Sequence, residues 1–307
     1  RNVTGVQTCA LPISVAGVVS ALFAMGVLTG RPAGIIFSFW SSLPLYVVGL
    51  MSGLWATLVA GAVALAIVGT TQSMLFGQGL MGAAVFALDT LMPAAVVAHL
   101  ALRSQPGSQG TIWYPGGSIL SWLAVVFTAA FLGLTVWSFL VSHETVFETL
   151  RQSMEAILET VLPAQDPVDR AEAVRLVAAS LPALAGMSWL LVIVVNGVLA
   201  QKLLTRLGWN IRPLGPLAVF QAPRWLIAPL TGAFVLALIG DRDLLYMGVN
   251  LGIVLAVPYV VQGLAVVHMY ARGTPRPRAM LAAFYGFNIA LGRSEEHTSE
   301  LQSRFGI

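Results

Sequence analysis

Three observations predict an all-α fold, a polytopic transmembrane helix bundle. From Pro32 to Leu88 the chain carries no Asp, Glu, Lys, Arg or His. That run is too long for one membrane helix of about 20 residues and long enough for two or three. Charged residues make up 9% of the 307 residues and apolar residues 57%, whereas about a quarter of a soluble domain is charged. Mean hydropathy is +0.84. Finally, the basic residues gather in short clusters between apolar runs, as loop charges that orient a membrane protein do. The net charge of +3 includes no stripe of basic and aromatic residues, which argues against nucleic acid as a partner.

Both ends stand apart. Val3 to Ile13 reads VTGVQTCALPI, and Arg293 to Ser303 reads RSEEHTSELQS. Each is a translation of one short-read sequencing adapter, taken from opposite strands. Residues 1–14 and 293–307 are therefore read as translated adapter and set aside from fold reasoning. On this reading Cys9, the sole cysteine, carries no disulfide or redox role, and the Asn2-Val3-Thr4 sequon is not a glycosylation site. The remainder divides into an N-terminal bundle (15–141), an amphipathic segment (142–180) and C-terminal membrane helices (181–292).

In chain order, residues 14–29 form a first span. Ala16, Ser20 and Ala24 recur on one face of it, where small residues let another helix, or a partner protein, approach closely. Gly30-Arg31-Pro32 ends the run. Residues 33–49 and 53–68 read as two further helices, with Pro44 bending or ending the first. Gly77-Gln78-Gly79 marks the next break, and 80–102 the fourth span.

Asp89 lies near the middle of that span, where an acid costs about 2.5 kcal/mol or more unless protonated, paired or hydrated. Pro93 follows four residues on and clashes with the carbonyl four positions back, that of Asp89. An acid and a freed carbonyl at one kink make a polar notch. It is read as a contact for a proton, cation or substrate, or alternatively as a helix break capped by Asp89.

Residues 103–110 form a polar loop. Trp113-Tyr114-Pro115 is an interfacial aromatic pair before a helix start, and 117–141 is the fifth span. In the long hydrophilic segment, Val146, Phe147, Leu150, Met154, Ile157, Leu158, Val161 and Leu162 share one helical face. Glu144, Glu148, Arg151, Glu155 and Glu159 lie opposite. Pro163 ends this helix, and Asp166-Pro167 caps and opens a second short one. Seven acids against three arginines disfavour binding to anionic lipid; the segment is expected to pack over the protein's own outer mouth as a lid. Residues 181–204, 225–239 and 244–269 complete eight spans, and 280–291 begins a truncated ninth.

Lys202, Arg206, Arg212 and Arg224 lie in and after the end of span six; Arg272, Arg276 and Arg278 follow span eight. The positive-inside rule places both clusters in the cytoplasm. The N-terminus is then cytoplasmic, and residues 142–180 and 241–243 face outward. A lone Arg31 outside is the one mild violation.

No HExxH, Walker, GxSxG or dinucleotide fingerprint occurs. His99 and His268 are single and distant, poor material for a metal or acid–base site. No enzyme activity, metal or cofactor is therefore expected. Asn196, Asn250 and Gln262 lie inside spans. They are read as interhelical hydrogen-bond groups, worth about 0.6 kcal/mol each, or as contacts to a substrate beside Asp89.

Three stretches, taken in order, resemble a known family: Gly30-Arg31-Pro32-Ala33-Gly34 leading to Leu43-Pro44-Leu45 and Gly49-Leu50, Asn196-Gly197-Val198-Leu199-Ala200-Gln201-Lys202 followed by Arg212-Pro213, and Gln262-Gly263-Leu264-Ala265-Val266-Val267-His268. They are similar to the YybS-like bacterial membrane proteins (domain of unknown function 2232), over nearly all of residues 15–292. That family is distantly similar to the S subunits of energy-coupling-factor transporters. The resemblance implies a bacterial inner-membrane protein with an outward cavity for a small molecule, and a first helix that docks a partner through small residues. Ala16, Ser20 and Ala24 match that docking pattern only approximately, and no ligand contact of the S subunits maps onto this chain. The expected function is small-solute binding or transport; the alternative is a non-transporting scaffold for envelope or complex assembly.

Overall fold

A computed structural model describes residues 3–108, 110–161, 167–213, 215 and 220–290. Among them, seven helices are long and apolar enough to cross a membrane, and Arg224–Ile239 forms a shorter apolar one. The expected all-α membrane bundle is what the chain folds into. Two compact units are present: Arg1–Leu214 with Gln221–Pro258, and Gly215–Phe220 with Tyr259–Ile307.

The first unit opens with α1 (Val3–Met25). A short 3-10 turn ends at Gly30, whose φ of 62° is left-handed. Two short helices, α2 (Pro32–Ser38) and α3 (Leu43–Ser52), then share one interrupted span. Pro44 sits in the first turn of α3, where a missing N–H has no helical partner to lose. It starts a helix, and does not bend or end one as the sequence suggested.

α1 packs most extensively on α4 (Leu54–Phe76) and also on α3. A Cβ on Gly17 would collide with the carbonyl oxygen of Ala60, so only glycine allows this approach. Ala16 and Ser20 are buried and Ala24 is half-buried. The small-residue face expected to dock a partner is thus covered from within the chain, and that expectation is corrected.

Gly77, with φ of 68°, caps α4. The next span consists of α5 (Gly79–Phe86), a π turn (Ala87–Leu91) and α6 (Met92–Ala101). The polar loop expected after it is instead an antiparallel hairpin of β1 (Ser104–Gly107) and β2 (Gly110–Trp113), with Ser104 opposite Trp113. The Arg212 guanidinium donates to the carbonyls of Ala101 and Tyr114 at 3.1 and 2.9 Å. Partial burial there pushes its pKa down.

α7 (Gly116–Ser142) is followed by the amphipathic α8 (Val146–Val161). α8 lies against α7 and α9. Val146 is buried and the Phe147 ring packs edge-on to Tyr246, with centroids 5.3 Å apart. On the polar side, Arg151 pairs with Glu148 at 2.6 Å and Glu155 at 2.9 Å. The Arg151 guanidinium holds the Glu148 carboxyl below its usual range. Leu162, Pro163 and Asp166 lie outside the described residues.

Pro167 does open a helix, but not a short one. α9 (Pro167–Leu207) runs 41 residues with Pro182 inside, where a break near residue 180 was expected. At 1.5 Å per residue such a helix is about 60 Å long, roughly twice the hydrocarbon thickness. It remains one helix because α11 (Arg242–Arg272) repairs the break. The Tyr246 hydroxyl donates to the Ala178 carbonyl at 3.2 Å, the group that the missing N–H of Pro182 would have served. The Asn250 amide donates to the Ala179 carbonyl at 3.0 Å, and its oxygen accepts the Ala183 N–H at 2.9 Å. α10 (Ile227–Ile239) precedes α11.

The second unit contains the part of α11 beyond Pro258 and a helix at residues 277–290. His268 Nδ1 pairs with the Leu264 carbonyl at 2.8 Å, and its ring lies 6.1 Å from that of Tyr285.

Candidate functional site

Within the first unit, a cavity of about 530 Å³ lies between α1, α2, α4, α5 and α9. Its walls include the C-terminal ends of α1 and α4 and the first turns of α5, which lie at one end of the alternating spans. Both interrupted spans contribute their irregular backbone to it: Phe39, Ser41 and Ser42 from the α2–α3 break, Asp89 and Thr90 from the π turn. Non-helical backbone at membrane depth is tolerated where it is buried in protein or lines a cavity, and π turns inside helices cluster at functional sites. Asp89 lies ten residues into its span from Gly79, about 15 Å along the axis, so it is near mid-membrane.

The two breaks are tied together. The Thr90 hydroxyl donates to Asp89 Oδ2 at 3.2 Å. Having used its proton there, Thr90 accepts from the Ser41 hydroxyl, 3.3 Å away. The Ser41 carbonyl in turn accepts from the buried Ser20 hydroxyl at 2.6 Å. The carbonyl of Asp89, which Pro93 was expected to free, is taken by the Trp189 indole N–H of α9 at 3.0 Å. Pro93 itself is fully buried in the first turn of α6.

The sequence-predicted residues separate. Asp89 faces the cavity, with Pro93 just beyond it. Asn196, 1% exposed, sits behind the wall and donates to the Phe39 carbonyl at 2.7 Å; its own carbonyl oxygen is buried with no hydrogen bond. It pins the α2–α3 break and does not line the cavity. Asn250 has its partners around Pro182, again away from the cavity. Gln262 belongs to the second unit. Of the four polar residues proposed as one site, Asp89 alone lines the cavity. α8 contributes no described lining residue, so the lid expectation is not met by this helix. Among the described residues, no cluster of three or more His, Cys, Asp or Glu is placed to hold a metal ion.

Sequence reasoning missed Trp189, Ser41 and Thr90. The Ser41-Ser42-Leu43-Pro44 run was the available signal, since serines before a proline mark a helix start. Nothing local could have paired Trp189 with a residue 100 positions away.

A family model described as "Predicted membrane protein (DUF2232)" matches residues 18–292. No curated protein and no solved structure matches the chain.

Proposed function

The chain belongs to the DUF2232 family of membrane proteins, and we propose that it binds a small solute in the cavity beside Asp89, as a step in uptake or sensing. The observation that carries this reading is that the spans on either side of α4 in the chain are both interrupted, and both interruptions face one cavity. Interrupted helices that meet at mid-membrane are the common way of building solute sites in membrane transporters. A volume of about 530 Å³ falls in the range of small-molecule pockets, about 300–1,000 Å³. With the basic loops placed in the cytoplasm, the ends of α1 and α4 that wall the cavity lie on the outer side of a bacterial inner membrane.

A rigid scaffold would be served better by continuous, fully packed helices, because each break exposes backbone groups that other side chains must satisfy. The experiment is native mass spectrometry of the full chain released directly from membranes. A retained small molecule, lost in Asp89→Asn at equal protein yield, is the expected result. A wild-type protein that carries no small molecule but retains a stoichiometric protein partner would overturn the reading in favour of the scaffold.

A further inference from the structure

We infer that the solute taken by this cavity is a small organic cation, an ammonium compound of single charge, with Asp89 as its counter-ion. This rests on the solute-binding reading above and adds the substrate class. Among the described cavity-lining residues, Asp89 is the only Asp, Glu, Lys or Arg. The described residues provide it with no ion pair, since the two salt bridges they contain are both on α8. Among the described residues its carboxylate takes one hydrogen bond, from the neutral hydroxyl of Thr90. A lone carboxylate at membrane depth is stable as an anion only with a counter-charge or water, and the described lining residues include no arginine or lysine to supply one. An anionic ligand would meet like charge with nothing to offset it.

The rest of the lining fits an ammonium group and not a bare metal ion. A metal site would need a compact shell of hard oxygen ligands, whereas this wall brings one carboxylate, scattered hydroxyls, the amides of Gln72 and Gln78 nearer its mouth, and aromatic rings. Trp189 is anchored to the same turn by its bond to the Asp89 carbonyl, and Phe39 and Phe86 also line the space. Aromatic faces beside an anionic group are how proteins hold alkylammonium ions. The volume leaves room for a carbon skeleton well beyond the charged head.

The test uses the full chain in lipid nanodiscs, with choline and benzyltrimethylammonium as probes. Their neutral carbon isosteres, 3,3-dimethylbutan-1-ol and neopentylbenzene, are the controls. Binding is read by thermal shift and by Trp fluorescence. At least one cation should bind tenfold or more tightly than its isostere. Asp89→Asn should erase that preference without lowering the unfolding temperature of the probe-free protein, and Asp89→Glu should retain part of it. Equal binding of cation and isostere, or a preference that survives Asp89→Asn, would overturn the cation assignment and leave solute binding standing. No binding by any probe, together with an empty wild-type mass spectrum, would overturn both.

Discussion

At the scale of single residues, the polar side chains inside this membrane protein do two distinct jobs. Asn196, Ser20, Tyr246 and Asn250 satisfy backbone carbonyls that helix breaks leave without donors, whereas Asp89 presents its carboxylate to a cavity. The sequence showed Asp89, Asn196 and Asn250 as polar within apolar runs, but residue type alone does not separate the two jobs. A side chain's partner is fixed by which helix lies opposite, and Asn196 reaches back 157 positions to Phe39. Asn196→Leu should remove the donor at the α2–α3 break and lower stability by about 1 kcal/mol, within the range measured for interhelical hydrogen bonds in membranes. Reversible unfolding in mixed detergent micelles checks this. A loss indistinguishable from zero would mean that the Phe39 carbonyl finds another donor.

At the scale of elements, helix starts and stops were read well where the chain carries its own signal. Gly30 and Gly77 end helices in the left-handed conformation, which glycine adopts without a Cβ penalty, and Pro167 opens α9. The readings failed where a boundary depends on neighbours. A break near residue 180 was expected, yet Pro182 lies inside an unbroken 41-residue helix because two side chains of α11 replace the lost hydrogen bond. Pro44 starts a helix because an interruption already precedes it. The Pro182 repair predicts a coupling. Asn250→Leu alone should destabilise by about 1–2 kcal/mol, since it leaves backbone groups of α9 unpaired. In a Pro182→Ala background, α9 can close its own hydrogen bonds, so the same substitution should cost clearly less. A double-mutant cycle measures the difference, and strictly additive losses would show that Asn250 does not serve the kink.

At the scale of the whole molecule, the membrane bundle was legible from composition alone. The order of spans was legible too, because apolar length is set by bilayer thickness and needs no tertiary information. The cavity was not, because it arises where five spans fail to fill the space between them, and that failure depends on packing. The sequence marked only its chemical centre, the acid at Asp89 beside Pro93. The same packing places the Ala16, Ser20 and Ala24 face inside the chain, so a small-residue stripe that resembles a docking surface serves internal helix contact here.

Solute binding beside Asp89 requires that the cavity be open to solvent from the outer side. Ser188 lines that cavity from α9 and is exposed. The most direct measurement places a single cysteine there, Ser188→Cys with Cys9→Ser, in intact cells treated with a membrane-impermeant methanethiosulfonate. Ser153→Cys on α8 serves as the outer control and Arg206→Cys as the inner one. The account predicts that cysteines at 188 and 153 react from outside while that at 206 does not, and that Ser188→Cys labels several-fold faster with a cationic reagent than with an anionic one. A cysteine at 188 that stays unreactive, or reacts only when the cytoplasmic side is opened, would contradict it.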